Sequence, residues 1–383
     1  MACLADSDVG GLLTMAVAGA HCGYALLPLQ ILLIPPLYMA QELTVRLSAC
    51  SHRSLSGLAF DHLGQFWGIV TFLSCLGVGC AAIVSQFTGV AAVGELWGIS
   101  RSTSCCFSAA LLGAIAFKGQ YSFAEKTGLL LSGCACVFVF LGLFCRPSAE
   151  EVHATLAMQT TMLAKPDLRK IVAANIGTVI TPWILFYQLS ANVEKRVVVA
   201  DLTWARLDTA VGAFATQFVM ASVLMTFARL AFGSELEHIP LQEALVQPLR
   251  PWLGDLLAKM LMSCGLLGAS MLASLVASLS IGWNCADMLG ARGNSSFIWL
   301  IGVLVSVAFG AFLIGCNLAS IVHLNITIQV INGISMPLVV GVLFFLARSE
   351  ALPPNLRLRG CYAITCAIVF SGCSIVTFLC AFL

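Results

Sequence analysis

The chain has 383 residues, of which 60% are hydrophobic and 10% are charged, and its mean hydropathy is +0.97. This composition excludes a soluble globular protein, because so few polar residues cannot cover the surface of a globule of this size. The composition therefore predicts a lipid bilayer around the chain. The formal net charge is only +1 and the basic residues are scattered, so no nucleic-acid partner is predicted.

The apolar segments predict an all-α polytopic membrane protein, because about 20 apolar residues are needed for a helix to cross the hydrocarbon core. Eleven spans are predicted, and the first is abnormally short. They cover residues 11–23, 25–47, 66–92, 104–118, 122–145, 169–193, 207–232, 252–282, 297–316, 320–347 and 360–382. Most Lys and Arg residues lie in short connections on one side, which the positive-inside rule assigns to the cytoplasm.

Helix-breaking residues occur in the first and sixth spans. Gly10 and Gly11 are adjacent in the first span, and each glycine costs about 1 kcal/mol relative to Ala in a helix. Pro182 lies in the middle of the sixth span, where it removes a backbone donor. Broken helices at corresponding positions of two halves are typical of a transporter whose site lies near the membrane midplane.

The paired breaks predict two five-helix repeats, formed by residues 1–145 and 169–347. Residues 146–168 are then an external loop, and residues 348–383 hold an additional eleventh span. The two repeats are expected to have inverted topologies.

Asp8 is the strongest single indication of function. A carboxylate at membrane depth is costly unless it meets a cation, a proton or another partner, so it predicts a transport or binding site. In the tenth span, Gln329 and Asn332 are three residues apart and therefore share a helix face. These amides either face the site or only bond neighbouring helices, and the sequence leaves both interpretations open.

Two motifs resemble those of natural resistance-associated macrophage protein (Nramp) metal transporters. Residues 8–11, Asp-Val-Gly-Gly, and the later Ala-Gly-Ala at 18–20 are similar to the family's Asp-Pro-Gly-Asn and Ala-Gly-Ala in helix one. Residues 178–183, Thr-Val-Ile-Thr-Pro-Trp, are similar to its Ala-x-x-Met-Pro-His in helix six. The resemblance implies divalent cation transport and the inverted-repeat fold shared with sodium-coupled amino-acid transporters (the LeuT/APC type).

The departures from the family pattern indicate its magnesium-transporting branch. Thr181 replaces the Met whose soft thioether favours transition metals, and its hard hydroxyl suits Mg²⁺, which retains several waters. The string Gln-Glu-Leu-Thr-Val-Arg at 41–46 adds to this resemblance, and its Glu42 and Arg46 are expected to pair one helical turn apart. A typical member is selective for Mn²⁺ or Fe²⁺, whereas this chain is expected to carry Mg²⁺ and also Mn²⁺.

Carry-over from the family gives a set of expected metal ligands and gating positions. Gly11 stands where the family has an Asn ligand, so a water or Asp6 would have to fill that gap. The expected ligands are Asp8, Gly11, the carbonyl oxygens near Thr178, the Thr181 hydroxyl, Gln329 and Asn332. The expected gating residues at the broken helices are Gly10, Pro182 and Trp183.

The family's proton relay is expected to be missing. Resemblance places its helix-six His at Trp183 and its helix-three acidic pair near Ile83 and Gln86, none of which takes up a proton at physiological pH. Transport is therefore predicted to be driven by the gradient and the voltage alone. A potential of 100 mV contributes roughly 4 to 5 kcal/mol to the uptake of a divalent ion.

Other functions stay open. The nearest rival is a proton-coupled Mn²⁺ or Fe²⁺ symporter, followed by a sodium-coupled solute symporter and a non-transporting or degenerate sensor. An enzyme is not expected, since no HExxH or GxSxG motif occurs, and no cofactor is predicted. The protein is expected to be a monomer in the plasma membrane or an internal membrane. Only seven residues precede Asp8, so the first half of span one is expected to be absent, and the sequence leaves open whether this is a true feature or a truncation.

Overall fold

The computed structural model describes residues 6–117, 121–145, 147–148, 150–151, 166–234, 236, 239–290, 297–316 and 321–382. These residues are helical wherever they have regular structure, and they include no β-strand. Eight helical segments among them are long and apolar enough to cross a membrane, and two further apolar helices are shorter. The observation agrees with an all-α membrane protein, while most of the predicted external loop 146–168 lies outside the described residues.

The helices follow the predicted spans closely. In the first half they are α1 Val9–Cys22, α2 Leu27–Leu32, α3 Ile34–Ser48, α4 Leu55–Leu63, α5 Gln65–Leu96, α6 Arg101–Phe117, α7 Tyr121–Gly133 and α8 Cys136–Phe144. In the second half they are α9 Pro166–Val179, α10 Pro182–Glu194, α11 Leu202–Leu230, α12 Leu241–Val246, α13 Arg250–Leu253, α14 Asp255–Met288, α15 Phe297–Gly315, α16 Ile321–Arg348 and α17 Gly360–Phe382.

Two predicted spans are interrupted in the structure. The span 25–47 divides at Leu33 into α2 and α3, ahead of the consecutive prolines Pro35 and Pro36, which disfavour helical backbone in the preceding residues. The span 122–145 divides into α7 and α8 by a turn at residues 134–135. No proline marks that second interruption in the sequence.

The break at the start of the first span lies before the glycines, not at them. Asp8 has extended backbone (φ −83°, ψ 171°) and forms the N-cap of α1, so Gly10 and Gly11 lie in the first helical turn. Asp is among the best N-cap residues because its carboxylate satisfies a free backbone N–H of that turn. The two glycines therefore have a different role, which is close packing around the site.

The break in the sixth span falls where Pro182 predicts it. Helix α9 ends at Val179, and α10 begins at Pro182, with Thr181 in extended conformation at its N-cap position. Proline suits the first position of a helix because its missing N–H would have no partner there. The helix is therefore interrupted at residues 180–181, where the Thr181 side chain contacts Asp6, two residues before Asp8.

Close backbone approaches fix the short helices at the site. A Cβ atom on Gly19 of α1 would lie 2.5 Å from the Leu224 carbonyl oxygen and 2.7 Å from the Ala228 nitrogen, both in α11. A Cβ atom on Gly177 of α9 would overlap the Gln329 carbonyl oxygen of α16. Small residues at such crossings let helices pack backbone to backbone.

The outward surface of the bundle carries large apolar side chains. Phe66, Trp204, Phe345 and Ile368 are each more than 60% exposed, with values of 70%, 73%, 62% and 67%. Such a surface needs an apolar surrounding, since soluble proteins rarely expose contiguous apolar patches. The structure therefore agrees with a bilayer environment.

A buried ionic cluster joins three helices away from the site. Glu42 of α3 accepts from Arg46 at 2.7 Å, as the sequence predicts for this pair, and also from Arg206 of α11 at 2.8 Å. The Tyr362 hydroxyl of α17 lies 3.4 Å from the same carboxylate. Glu42 is thus fully paired and is a structural group.

Candidate functional site

Asp8 is buried between α1 and α5 and is held by two donors. Its Oδ1 accepts from the Gly11 backbone nitrogen at 2.6 Å, and its Oδ2 accepts from Gln86 Nε2 at 2.9 Å. The Gln86 oxygen in turn accepts from the Val9 nitrogen at 3.1 Å. One amide side chain on α5 therefore fixes both the carboxylate and the first free N–H of α1.

Asp6 is a second buried carboxylate, two residues before Asp8. Its Oδ2 accepts from Gln41 Nε2 of α3 at 3.1 Å. The Thr181 hydroxyl lies 3.2 Å from Asp6 Oδ1 and 3.0 Å from the Thr178 carbonyl oxygen, and it can donate to either. Asp6 thereby connects the residues before α1 with α3 and with the break between α9 and α10.

Thr178 lies against Gly11. A Cβ atom on Gly11 would lie 2.7 Å from Thr178 Oγ1, 3.1 Å from Asp8 Oδ1 and 2.6 Å from the Met220 methyl group of α11. The hydroxyl of Thr178 and the carboxylate of Asp8 consequently border the same small space, and Gly11 is the residue that keeps it open. The thioether side chain of Met220 also borders this space.

The amides of α16 lie next to Gly10 of α1. Gln329 lies so close to Gly10 that a Cβ atom there would overlap Gln329 Nε2. The Asn332 Nδ2 donates to Gln329 Oε1 at 3.0 Å, so the two amides share a helix face, and both are buried. Gln329 is therefore at the site, and Asn332 stands behind it as a support.

Two buried hydroxyls next to the carboxylates lack a hydrogen-bond partner among the described residues. Ser7 lies between Asp6 and Asp8 in the chain, and Thr178 Oγ1 borders the same space as Asp8 Oδ1. Buried polar groups are normally paired, so two unpaired hydroxyls at one place call for a ligand or bound water.

Some of the predicted gating and relay residues lie at the site or at the break before α10, and one does not. Pro182 and Trp183 open α10, and Trp183 is buried. Gln86 contacts Asp8 directly, so a position expected only as a lost relay residue is part of the site. Ile83, one turn earlier on α5, instead faces α15, where a Cβ atom on Gly310 would lie 2.6 Å from its Cγ2.

The charges at the site are negative and are not paired with basic groups. Within the described residues, neither Asp6 nor Asp8 forms an ion pair with Lys, Arg or His. No group of three or more His, Cys, Asp and Glu side chains occurs there that could hold a metal ion by itself. The donor set is therefore two carboxylates together with neutral hydroxyl, amide and carbonyl groups.

Sequence reasoning identified part of this arrangement. It pointed to Asp8, Thr178, Thr181 and Gln329, which the structure brings together. It did not assign Gln86 as the partner of Asp8 or Gln41 as the partner of Asp6. The available signal was a glutamine inside an otherwise apolar span, which is costly unless it is hydrogen-bonded.

The fold and the buried polar junction define a multi-pass helical membrane protein of the transporter type. A solved structure of the Eremococcus coleocola manganese transporter, in complex with an aromatic bis-isothiourea substituted compound, superposes with a TM-score of 0.79 at 13% identity and covers 99% of this chain and 84% of that chain. MhsT in complex with L-phenylalanine gives a TM-score of 0.62 at 16% identity, covering 100% of this chain and 97% of the other.

A third solved structure, of Mhp1, a nucleobase-cation-symport-1 family transporter in a closed conformation, gives a TM-score of 0.56 at 13% identity, with 99% and 89% coverage. These likenesses establish the fold. A comparison with curated proteins finds no match. The profile of the natural resistance-associated macrophage protein-like family matches residues 1–382, and the chain belongs to that family.

Proposed function

We propose that the protein transports divalent metal cations, Mg²⁺ foremost and also Mn²⁺, through the junction of α1, α9 and α10. The observation that carries the proposal is the pair of buried carboxylates, Asp6 and Asp8, with no basic partner among the described residues. A carboxylate at membrane depth needs a cation or another partner. Family membership and the fold shared with a solved manganese transporter support the same substrate class.

The oxygen donors support Mg²⁺ as a substrate. Thr181 offers a hydroxyl next to Asp6 and the Thr178 carbonyl, and Gln329 offers an amide beside Gly10. Mg²⁺ prefers hard oxygen ligands and retains several waters, so a few protein oxygens are enough to bind it. We further propose that the ion crosses in partly hydrated form, that ten of eleven membrane spans form two inverted five-helix repeats with the eleventh additional, and that the protein acts as a monomer.

Met220 supports the alternative, a proton-coupled Mn²⁺ or Fe²⁺ symporter. Its methyl group lies close to Gly11, and a thioether at that place would favour transition metals. The relay positions speak against proton coupling, because Ile83, Gln86 and Trp183 do not titrate near neutral pH. We therefore propose uncoupled transport driven by the gradient and the voltage.

The test is transport by the purified protein in liposomes. With a fluorescent metal indicator and a pH probe inside, Mn²⁺ is expected to enter, excess external Mg²⁺ is expected to slow its entry, and the internal pH is expected to stay constant. A rate of Mn²⁺ entry that excess Mg²⁺ does not change would exclude the magnesium assignment. Acidification that depends on Mn²⁺ would establish the proton-coupled alternative.

Substitution of Gly11 probes the crowding at the site. Gly11→Asn would introduce the family's usual ligand, but its Cβ meets Thr178 Oγ1 at 2.7 Å and Met220 at 2.6 Å. We expect Mn²⁺ uptake to fall about tenfold or more, since misplacing ligands by 1 Å has a large cost at such sites. In the Met220→Ala background the same substitution is expected to regain part of the uptake, because the flexible methionine end has been removed.

The comparison of single and double variants decides between crowding and ligand loss. Gly11→Asn uptake at or above the wild-type rate would show that the space accepts the family's ligand. An equal loss of Mn²⁺ uptake for Gly11→Asn in the wild-type and Met220→Ala backgrounds would show that Met220 does not limit the space beside Gly11.

A further inference from the structure

The residues before α1 hold a carboxylate to which family resemblance gives no role. Asp6 is 1% exposed, and its described partners are all neutral: Gln41 at 3.1 Å and Thr181 at 3.2 Å. Two hydrogen bonds from neutral groups offset only part of the cost of burying a charge. Asp6 therefore needs a positive partner, either a cation or a proton, in at least one state of the protein.

The negative charge of Asp8 is partly neutralised by the N-terminus of its own helix. Asp8 caps α1, whose N-terminus carries a partial positive charge of roughly half a unit, and α10 also begins at the junction. Both helix ends oppose a cation there. The C-terminus of α9 at Val179 favours a cation, and a second carboxylate adds negative charge that a divalent ion calls for.

Unpaired oxygen atoms mark the space around the two carboxylates. Ser7 Oγ, which is 3% exposed, lies in the chain between Asp6 and Asp8 and has no hydrogen-bond partner among the described residues. The same is true of Thr178 Oγ1, which is 2% exposed and borders the space beside Asp8 Oδ1. Among the described residues neither hydroxyl has a hydrogen-bond partner, so both can bind a ligand.

From these contacts we propose that Asp6 is a second charged ligand and that the cation binds between Asp6 and Asp8. Thr181, whose hydroxyl reaches both Asp6 and the Thr178 carbonyl, orients the Asp6 carboxylate toward the junction. Two carboxylates match the charge of a divalent ion and leave a monovalent ion over-neutralised, so Asp6 sets the preference for divalent cations. This inference rests on the proposed function.

The test measures Mn²⁺ binding to the full-length purified chain by calorimetry. Asp6→Asn keeps the size of the side chain and an acceptor for Thr181 but removes the charge. We expect Kd to rise at least about 100-fold, the upper end of the effect of losing a merely supporting group, whereas Asp6→Glu is expected to recover most of the affinity. Gln41→Leu, which removes only the neutral partner of Asp6, is expected to change Kd much less.

A second measurement on the wild-type chain does not depend on the folding of a variant. Because Asp6 is 1% exposed, its labelling by carbodiimide requires the site to open, so prolonged labelling is used and its extent is measured by mass spectrometry. Labelling of Asp6 is expected to decrease when Mn²⁺ is added, relative to labelling of the exposed Asp255. Measurable labelling of Asp6 that Mn²⁺ does not change, or an Asp6→Asn variant that binds within twofold of wild type, would overturn the inference.

The outcomes also separate this inference from the proposed function. If Asp8→Asn loses binding and Asp6→Asn keeps it, the site has one carboxylate and only the Asp6 inference fails. If the wild-type chain binds neither Mn²⁺ nor Mg²⁺, the proposed function fails together with it. Binding that Asp6→Asn weakens and Asp6→Glu restores supports both.

Discussion

Asp8→Asn is expected to abolish Mn²⁺ uptake, with a loss of at least about 100-fold, the upper end of what outer-shell changes cost. Both carboxylate oxygens act as acceptors, one from the Gly11 nitrogen at 2.6 Å and one from Gln86 at 2.9 Å. An asparagine can accept at only one of these positions, and it removes the negative charge from a buried place. Uptake into liposomes and calorimetric binding of Mn²⁺ both measure the effect.

The fold should survive this substitution, because Asn and Asp are equally good N-cap residues for α1. Asp255→Asn is the matched control. Asp255 is half exposed and pairs with Lys259 at 2.8 Å and with Arg250 at 2.8 Å, remote in sequence from the site. Exposed ion pairs of this kind contribute about 0–1 kcal/mol, so uptake should be unchanged. Wild-type uptake by Asp8→Asn would remove Asp8 from the site.

Gly177→Ala is expected to destabilise the protein by about 3 kcal/mol, the upper end of the usual cost of overpacking a core. The same substitution is expected to stop uptake. The added Cβ atom would overlap the Gln329 carbonyl oxygen and would lie 2.7 Å from the Gly333 nitrogen. Both are backbone atoms of α16, so no side chain can rotate away. The helices must separate, and Thr178 and Gln329 would then move apart.

Thermal unfolding of the detergent-purified protein measures this prediction, with Gly77→Ala as the matched control. Gly77 is also inside a helix, α5, but a Cβ atom there has no neighbour within 4 Å. That substitution is expected to be neutral or to stabilise the helix by up to about 1 kcal/mol. Equal melting temperatures for the two variants would contradict the tight crossing of α9 and α16.

The sequence predicts the helices well and the site only in part. Apolar length locates the spans, and Pro182 locates the break between α9 and α10, because both are local properties of the chain. The pairing of Glu42 with Arg46 is equally local and is confirmed. The N-cap role of Asp8 was not predicted, since the adjacent glycines suggested a break that the structure places earlier.

Contacts between distant residues lie beyond such reasoning. Gln86 is 78 residues from Asp8, and Gln41 is 35 residues from Asp6, so no periodicity connects them. The steric role of Gly11 likewise depends on Met220, which belongs to another helix. These relations follow from the packing of helices, which hydropathy and propensity do not determine.

The glycine crossings have a consequence for motion. Gly19 fastens α1 to α11, and Gly177 fastens α9 to α16, in each case through backbone atoms that cannot yield separately. Packed helices of this kind move as rigid bodies. Asp8 is therefore held against α11, while Thr178 and Gln329 are held against each other. A movement of one helix pair relative to the other would change the distance from Asp8 to the oxygen donors of α9 and α16 together.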